Sequence, residues 1–222
     1  MHALLAFDTT GAFCTVALRR PGRDDLVHAE RIGRGHAERL APMVEAILNE
    51  AELAPAGIGR IRVAVGPGSF AGSRVGVAFA RGLALAVGAE TAGISNLAVL
   101  ALMADPRGQL DVAVIHDAKR GDLVVQAFTA GSPVGAPERL TAHEARDWLT
   151  GQLERGAKVT GSGAVQLMTQ LQPGWVDDIF TEGPELSPRA LLDLAERAHP
   201  ASPSPFYARP PDAKLPGGRS PA

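Results

Sequence analysis

Three short stretches carry residue types that could do chemistry. Asp8-Thr9-Thr10-Gly11 closes an apolar run with one carboxylate and two hydroxyls. A carboxylate there could ligate Mg²⁺, which prefers hard oxygen donors; it could equally accept the amides of its own turn. Asp117, at the end of a second apolar run, holds the corresponding place in the other half of the chain. The third stretch, Gly66-Pro67-Gly68-Ser69-Phe70, lies between an apolar run and a helix-forming segment. A helix N-terminus in that setting offers free amides and a positive dipole end to an anion. Asp8, Thr9, Thr10, Gly66, Gly68 and Ser69 are thus the candidate nucleotide or anion loop.

Stricter motifs fail at this loop. A P-loop needs four residues between its two Gly positions, then Lys and Ser/Thr; counting from Gly66, Ala71 stands at the second position and no Lys follows. Gly66-x-Gly68-x-x-Ala71 fits a dinucleotide fingerprint formally, but the acidic Glu90 precedes the next strand rather than ending it. A nucleophile elbow needs Gly-x-Ser-x-Gly, and Pro67-Gly68-Ser69-Phe70-Ala71 does not supply it. The histidines at 2, 28, 36, 116, 143 and 199 include no two within four positions, and Cys14 is the single cysteine. A dedicated transition-metal site is therefore not expected. Arg74 faces a partner or an anion, or forms a surface ion pair.

Composition bounds the rest. The 222 residues suffice for one domain or two small ones. Twenty-two Lys and Arg against 24 Asp and Glu give a net charge of −2, without the basic excess of a free-standing nucleic-acid binder. One cysteine excludes a disulfide framework within the chain. No apolar run approaches 18 residues, so no membrane span is expected. The N-terminus lacks a basic region before a long apolar stretch, so no signal peptide is read there and the cytoplasm is the expected compartment.

The elements that must position these residues follow from periodicity. Residues 2–8, 12–20 and 26–32 read as three strands joined by short turns, an antiparallel meander. Residues 36–53 place Leu40, Met43, Val44, Ile47 and Leu48 on one helical stripe. A strand at 61–65, a helix at 70–87, a strand at 91–94 and a helix capped by the Ser95 hydroxyl complete the first half. The second half repeats the scheme more weakly: strands at 110–116 and 123–130, a helix at 141–153 with a Thr141/Glu144 capping box, a strand from 158, and a helix from Ser187-Pro188 to 197. The boundary falls near Asp105-Pro106-Arg107-Gly108, giving units 1–105 and 106–208 and a tail, 209–222, too poor in apolar periodicity to fold.

The helix at 70–87 has two rows of small residues: Gly72, Gly76, Ala80, Ala84 and Gly88, and beside them Ala78, Gly82 and Ala86. Gly inside a helix costs roughly 1 kcal/mol against Ala, a cost that close approach of a neighbour offsets by dispersion. One row must face the protein's own sheet; the second points to a partner subunit.

Leu5-Ala6-Phe7-Asp8-Thr9-Thr10, the helix start Gly35-His36-Ala37-Glu38-Arg39-Leu40-Ala41-Pro42, and Val65-Gly66-Pro67-Gly68-Ser69-Phe70-Ala71-Gly72-Ser73-Arg74-Val75-Gly76 resemble the TsaB (YeaZ) family. The likeness is strong over about residues 3–125 and looser beyond. Asp117-Ala118-Lys119-Arg120-Gly121-Asp122 and Pro205-Phe206-Tyr207-Ala208-Arg209 also resemble family turns. The resemblance implies an α/β actin-like ATPase (ASKHA) fold of two related βββαβα-type lobes, the C-terminal one degenerate. It implies a non-catalytic subunit of the tRNA N6-adenosine(37) threonylcarbamoyltransferase complex, which makes threonylcarbamoyladenosine (t6A). Such a subunit binds and activates the catalytic sibling TsaD, is joined by the small ATPase TsaE, pairs with itself when alone, meets tRNA through the complex and involves no membrane. It implies no cofactor of its own, with ATP or ADP at the complex interface. Pairing through the first-lobe helices would place His36, Arg39, Leu40, Met43 and Ile47, with Arg74, Val75, Ala78, Phe79 and Gly82, at the partner interface. The alternatives are an independent ATP-dependent small-molecule kinase of the same fold, or a peptidase.

Overall fold

A computed structural model describes residues 2–119, 121–167, 179–180 and 185–207. The chain forms two five-stranded sheets. The first contains β1 (Ala3–Asp8), β2 (Phe13–Arg19), β3 (Leu26–Arg31), β4 (Ile58–Gly66) and β5 (Glu90–Ser95), in the order β3-β2-β1-β4-β5. β1 to β3 pair antiparallel, and β1-β4 and β4-β5 pair parallel. Helix α1 (His36–Glu50) joins β3 to β4, α2 (Phe70–Val87) joins β4 to β5, and α3 (Asn96–Ala104) follows.

The second sheet contains β6 (Asp111–Asp117), β7 (Asp122–Thr129), β8 (Ser132–Thr141), β9 (Lys158–Thr160) and β10 (Ile179–Phe180), with α4 (Ala142–Glu154), α5 (Ala164–Leu167) and α6 (Pro188–Arg197). Its order, β8-β7-β6-β9-β10, is the first sheet's order repeated, with the same parallel and antiparallel pairings. Two copies of one strand-and-helix order make this the actin-like ATPase architecture.

β1 is buried along its whole length because both of its faces are covered. Leu5 and Phe7 join the core beneath α1 and α2, while Leu4 and Ala6 join the core beneath α6. That alternation is what a strand between two helical layers requires. The last helices cross over. α3 packs on β6 through Leu97 and Leu100. α6, which follows the second sheet in sequence, packs on β1 and β2 of the first. The segment after it stays there: the Ala201 amide donates to Thr91 O at 2.7 Å and the Phe206 amide to Val65 O at 2.8 Å. The unit at 106–208 therefore gives its last helix to the first sheet.

Most sequence-read elements lie within a few residues of their expected ends. The Thr141/Glu144 capping box has both of its bonds. Two readings change. β8, α5 and β10 occupy segments that were read as no element. The Ser95 hydroxyl makes no cap hydrogen bond; the Asn96 side chain beside it does the bonding instead. α2 is 18 residues long and largely apolar, but Arg74 and Arg81 interrupt it, so it contains no unbroken apolar run of that length. Here it lies on β4, its Gly72, Gly76, Ala80 and Ala84 row buried against the sheet. The tail at 209–222 lies outside the described residues, as do Arg120 and Ala208.

Candidate functional site

The Asp8 turn and the Gly66-Gly68 loop form one hydrogen-bonded unit. Asp8 Oδ1 accepts the Thr10 amide at 2.7 Å and the Thr10 hydroxyl at 2.6 Å. The Thr10 carbonyl accepts the Ser69 amide at 2.7 Å. Asn96 ties the unit together: its Nδ2 donates to Thr10 Oγ1 at 2.6 Å and to Pro67 O at 3.1 Å, and its Oδ1 accepts the Gly66 amide at 3.1 Å. Ser69 caps α2 by accepting the Gly72 amide at 3.2 Å, while its carbonyl takes the Ser73 amide and hydroxyl. A Cβ at Gly68 would stand 2.6 Å from Thr10 O. The loop is pressed onto the turn, and the amides of Gly66, Ser69, Gly72 and Ser73 are spent on the chain itself.

Asp8 is buried. Burial pushes its carboxyl above the usual carboxylate range, partly opposed by the two Thr10 hydrogen bonds. It borders a cavity of about 400 Å³ between the two sheets, with Thr10, Phe13, Asn96 and His116 also in the wall. Burial holds the His116 imidazole below its ordinary value. Asp117 repeats the turn of Asp8: its Oδ1 accepts the amide two residues on, that of Lys119, at 2.8 Å. Burial of the Asp117 carboxyl is outweighed by its bonds to Lys119, so its pKa lies below the ordinary one. The two carboxylates thus close equivalent turns, one in each sheet.

The helical face differs from the expected one. Leu40, Met43 and Ile47 turn inward and are buried in the core on β1 and β2. His36 is buried too, its Nε2 3.1 Å from Phe13 O. These four residues offer a partner no surface, because the single apolar stripe of α1 is consumed by the protein's own sheet. Val75 and Phe79 are half-buried against the same core, Phe79 edge-on to Phe7 with ring centroids 5.6 Å apart. Arg39 is exposed and paired with Glu30 of β3. Arg74, Ala78 and Gly82 do face outward.

Around those three the structure adds residues that sequence reasoning missed. Leu85 is 88% exposed. A Cβ at Gly82 would meet nothing within 4 Å. At the N-terminal end of α2, the Phe70 ring sits 5.0 Å from that of Tyr207, and the Arg74 guanidinium lies 5.0 Å over Phe70. On the neighbouring α1 the outward residues include Ala41, Pro42, Glu45, Ala46 and Asn49. Reading the side of α1 opposite its apolar stripe finds them. Asn96 had a signal as well, as the one polar residue of an otherwise apolar α3.

A family profile, "TsaD: tRNA N6-adenosine threonylcarbamoyltransferase", matches residues 27–136. The tRNA threonylcarbamoyladenosine biosynthesis protein TsaB of Bacillus subtilis is 36% identical over 123 residues, 54% of this chain and 52% of that protein. The matched stretch thus spans about half the length of that curated relative. An uncharacterised protein of Mycobacterium tuberculosis is 31% identical over 221 residues, 96% of this chain and 95% of its own length. The solved structure of YeaZ from Pseudomonas aeruginosa superposes with a TM-score of 0.67 at 29% identity, covering 89% of this chain and 92% of that one. With the paired sheets and the Gly66-Pro67-Gly68-Ser69-Phe70 loop already placed, the chain belongs to the TsaB (YeaZ) family.

Proposed function

We propose that this chain acts in t6A formation on tRNA as a non-catalytic subunit that binds the catalytic sibling TsaD. The observation that carries the reading is the outward face of α2. This 18-residue apolar helix has a third of its length buried and presents Ala78, Gly82, Leu85 and Ala86 to solvent beside the small-residue face of α1. Small residues let a partner's helices approach closely. Aromatic and arginine side chains such as Phe70, Tyr207 and Arg74 are the types that anchor interfaces. The same face serves a second copy of the chain when TsaD is absent.

The non-catalytic part of the reading is supported by where the polar groups go. The Asp8 carboxylate and the loop amides are engaged inside the chain. Bound ATP or ADP, and the small ATPase TsaE, belong on this reading to the assembled complex, as does the tRNA, and the compartment is the cytoplasm. The experiment is t6A formation in a reconstituted mixture of tRNA, threonylcarbamoyl-adenylate, TsaD, TsaE and ATP, with and without this protein. Product that forms only when the chain is present supports the reading; equal product without it removes the reading.

A further inference from the structure

A segment that follows the second sheet runs along the side of α2. Residues 198–207 leave the C-terminal end of α6 and are tied to the first sheet and to α2 along their length. Arg62 Nη2 donates to the Ala198 carbonyl at 3.3 Å. Ala201 is held twice by Thr91 of β5: its amide donates to Thr91 O at 2.7 Å, and its carbonyl accepts the Thr91 hydroxyl at 3.2 Å. The Arg81 guanidinium donates to the Pro203 carbonyl. The Phe206 amide donates to Val65 O at 2.8 Å, and the Tyr207 ring meets that of Phe70. Pro203 thus lies at Arg81 and Tyr207 at Phe70, so the segment runs antiparallel to α2.

Tyr207 closes a cluster that is open to solvent. It is 39% exposed and Phe70 46%, with their ring centroids 5.0 Å apart. The Arg74 guanidinium lies over Phe70 and makes no hydrogen bond or ion pair among the described residues. Further along α2 come Ala78 and Gly82, also outward. Small residues let a neighbouring helix approach closely, but they offer little area of their own to bury. Two half-open rings and a stacked guanidinium without a carboxylate supply the large anchor that such a face lacks. Arg81 is exposed and spends its hydrogen bond on a carbonyl of the segment rather than on an acid. A guanidinium placed that way fixes the backbone shortly before Tyr207, and with it the ring.

We propose that residues 198–207 form part of the partner-binding surface, with Tyr207 as its anchor, and that Arg81 is a positioning residue acting through this segment. This rests on the function proposed above, in which the outward face of α2 binds TsaD. What fits the cluster is an apolar side chain of the partner seated on the two rings, with a carboxylate within reach of Arg74. The binding face is then built from both halves of the chain. α2 comes from the first, and Tyr207 arrives behind α6 from the second. The seating of α6 on the first sheet thereby sets the position of a partner contact.

The test is binding of TsaD to the full chain, labelled at its N-terminus and kept dilute enough to be monomeric, by fluorescence anisotropy. Tyr207→Ala and Arg81→Gln, both at exposed positions, should fold with wild-type circular dichroism. Each should bind roughly tenfold more weakly, the loss of a single anchor. The double variant should bind no more weakly than Tyr207→Ala, because residues that act through one contact are not additive. A second readout does not involve TsaD. Tyr207 is the single tyrosine of the chain, so 3-fluorotyrosine gives one fluorine NMR signal. Arg81→Gln should move that signal toward the position of the free amino acid. Losses that add to about a hundredfold in the double variant overturn the positioning role of Arg81, as does a fluorine signal that Arg81→Gln leaves unmoved. A wild-type chain that does not bind TsaD removes the function reading and this inference with it. TsaD binding that Tyr207→Ala leaves at wild-type strength removes the inference alone.

Discussion

Thr9 and Gly72 meet backbone to backbone. The Thr9 hydroxyl donates to the Gly72 carbonyl at 2.7 Å, and a Cβ built on Gly72 would stand 1.9 Å from the Thr9 carbonyl oxygen. No side-chain rotation relieves that clash, because the backbone fixes the position of a Cβ and the Thr9 oxygen is itself on the main chain. The first turn of α2 is therefore seated on the end of β1, and the Gly66-Ser69 loop is trapped between them.

Gly72→Ala is accordingly expected to destabilise the fold by about 1–3 kcal/mol, the range for overpacking a filled site. Gly82→Ala, ten residues along the same helix and facing open space, should raise the stability of the monomer by up to roughly 1 kcal/mol through helix propensity. Thermal melts of the two variants at low protein concentration check the contrast. Equal shifts in one direction would mean that α2 does not sit as described.

Asn96 joins the Asp8 turn, the loop and α3 through three hydrogen bonds. Asn96→Ala leaves the Gly66 amide and the Pro67 carbonyl without this partner in a buried setting, at a cost of about 1–3 kcal/mol for each group left unsatisfied. Hydrogen exchange should rise first at the Gly66 and Ser69 amides, ahead of the β1 core. Unchanged protection at these two amides would show that the loop is held by other means.

How much of this was legible depended on how local the signal was. β1 to β3 and α2 were readable because apolar period and turn residues agree there. β8 was hidden by its composition: Pro133, Gly135 and Pro137 argue against a strand, yet β8 is an edge strand that pairs only with β7. On an edge, a missing amide need not break a ladder. Leu40, Met43 and Ile47 were assigned to a partner because the family resemblance implied pairing through the first-lobe helices, which does not say which face of α1 does the pairing. In the fold the sheet takes the stripe first, and what remains outward is small and polar. The swap of α6 onto the first sheet had no local signature, since it depends on which apolar faces the two sheets leave open.

The outward face of α2 makes a direct prediction about assembly. Gly82→Leu places a bulky side chain where a partner helix would approach, and Leu85→Glu places a charge on the most exposed apolar residue of that helix. Both sites are open in the single chain, so both variants should fold with near wild-type circular dichroism. Each should lose self-association and TsaD binding by tenfold or more in analytical ultracentrifugation. Wild-type association in both variants would move the interface off this helix.

Asp8 supplies a prediction with a definite sign. Its folded pKa lies above the ordinary 3.8, burial being the main cause. A carboxyl with a raised folded pKa contributes stability that is fully present below its unfolded value and is lost as pH rises through the folded one. At neutral pH the native state has therefore lost stability relative to low pH, although Oδ1 accepts two bonds from Thr10. Asn at this position keeps an oxygen able to accept both bonds and removes the charge. Asp8→Asn should thus melt at a higher temperature than wild type at pH 7, with the gap closing as pH is lowered toward 3.8. The contribution from Asp117, whose folded pKa is depressed, has the opposite sign and is lost as pH falls below 3.8 toward its folded value, but it is common to both proteins and cancels in the difference. A lower melting temperature for Asp8→Asn at pH 7 would mean that the carboxylate itself is required, holding a cation or a donor that the turn alone does not supply.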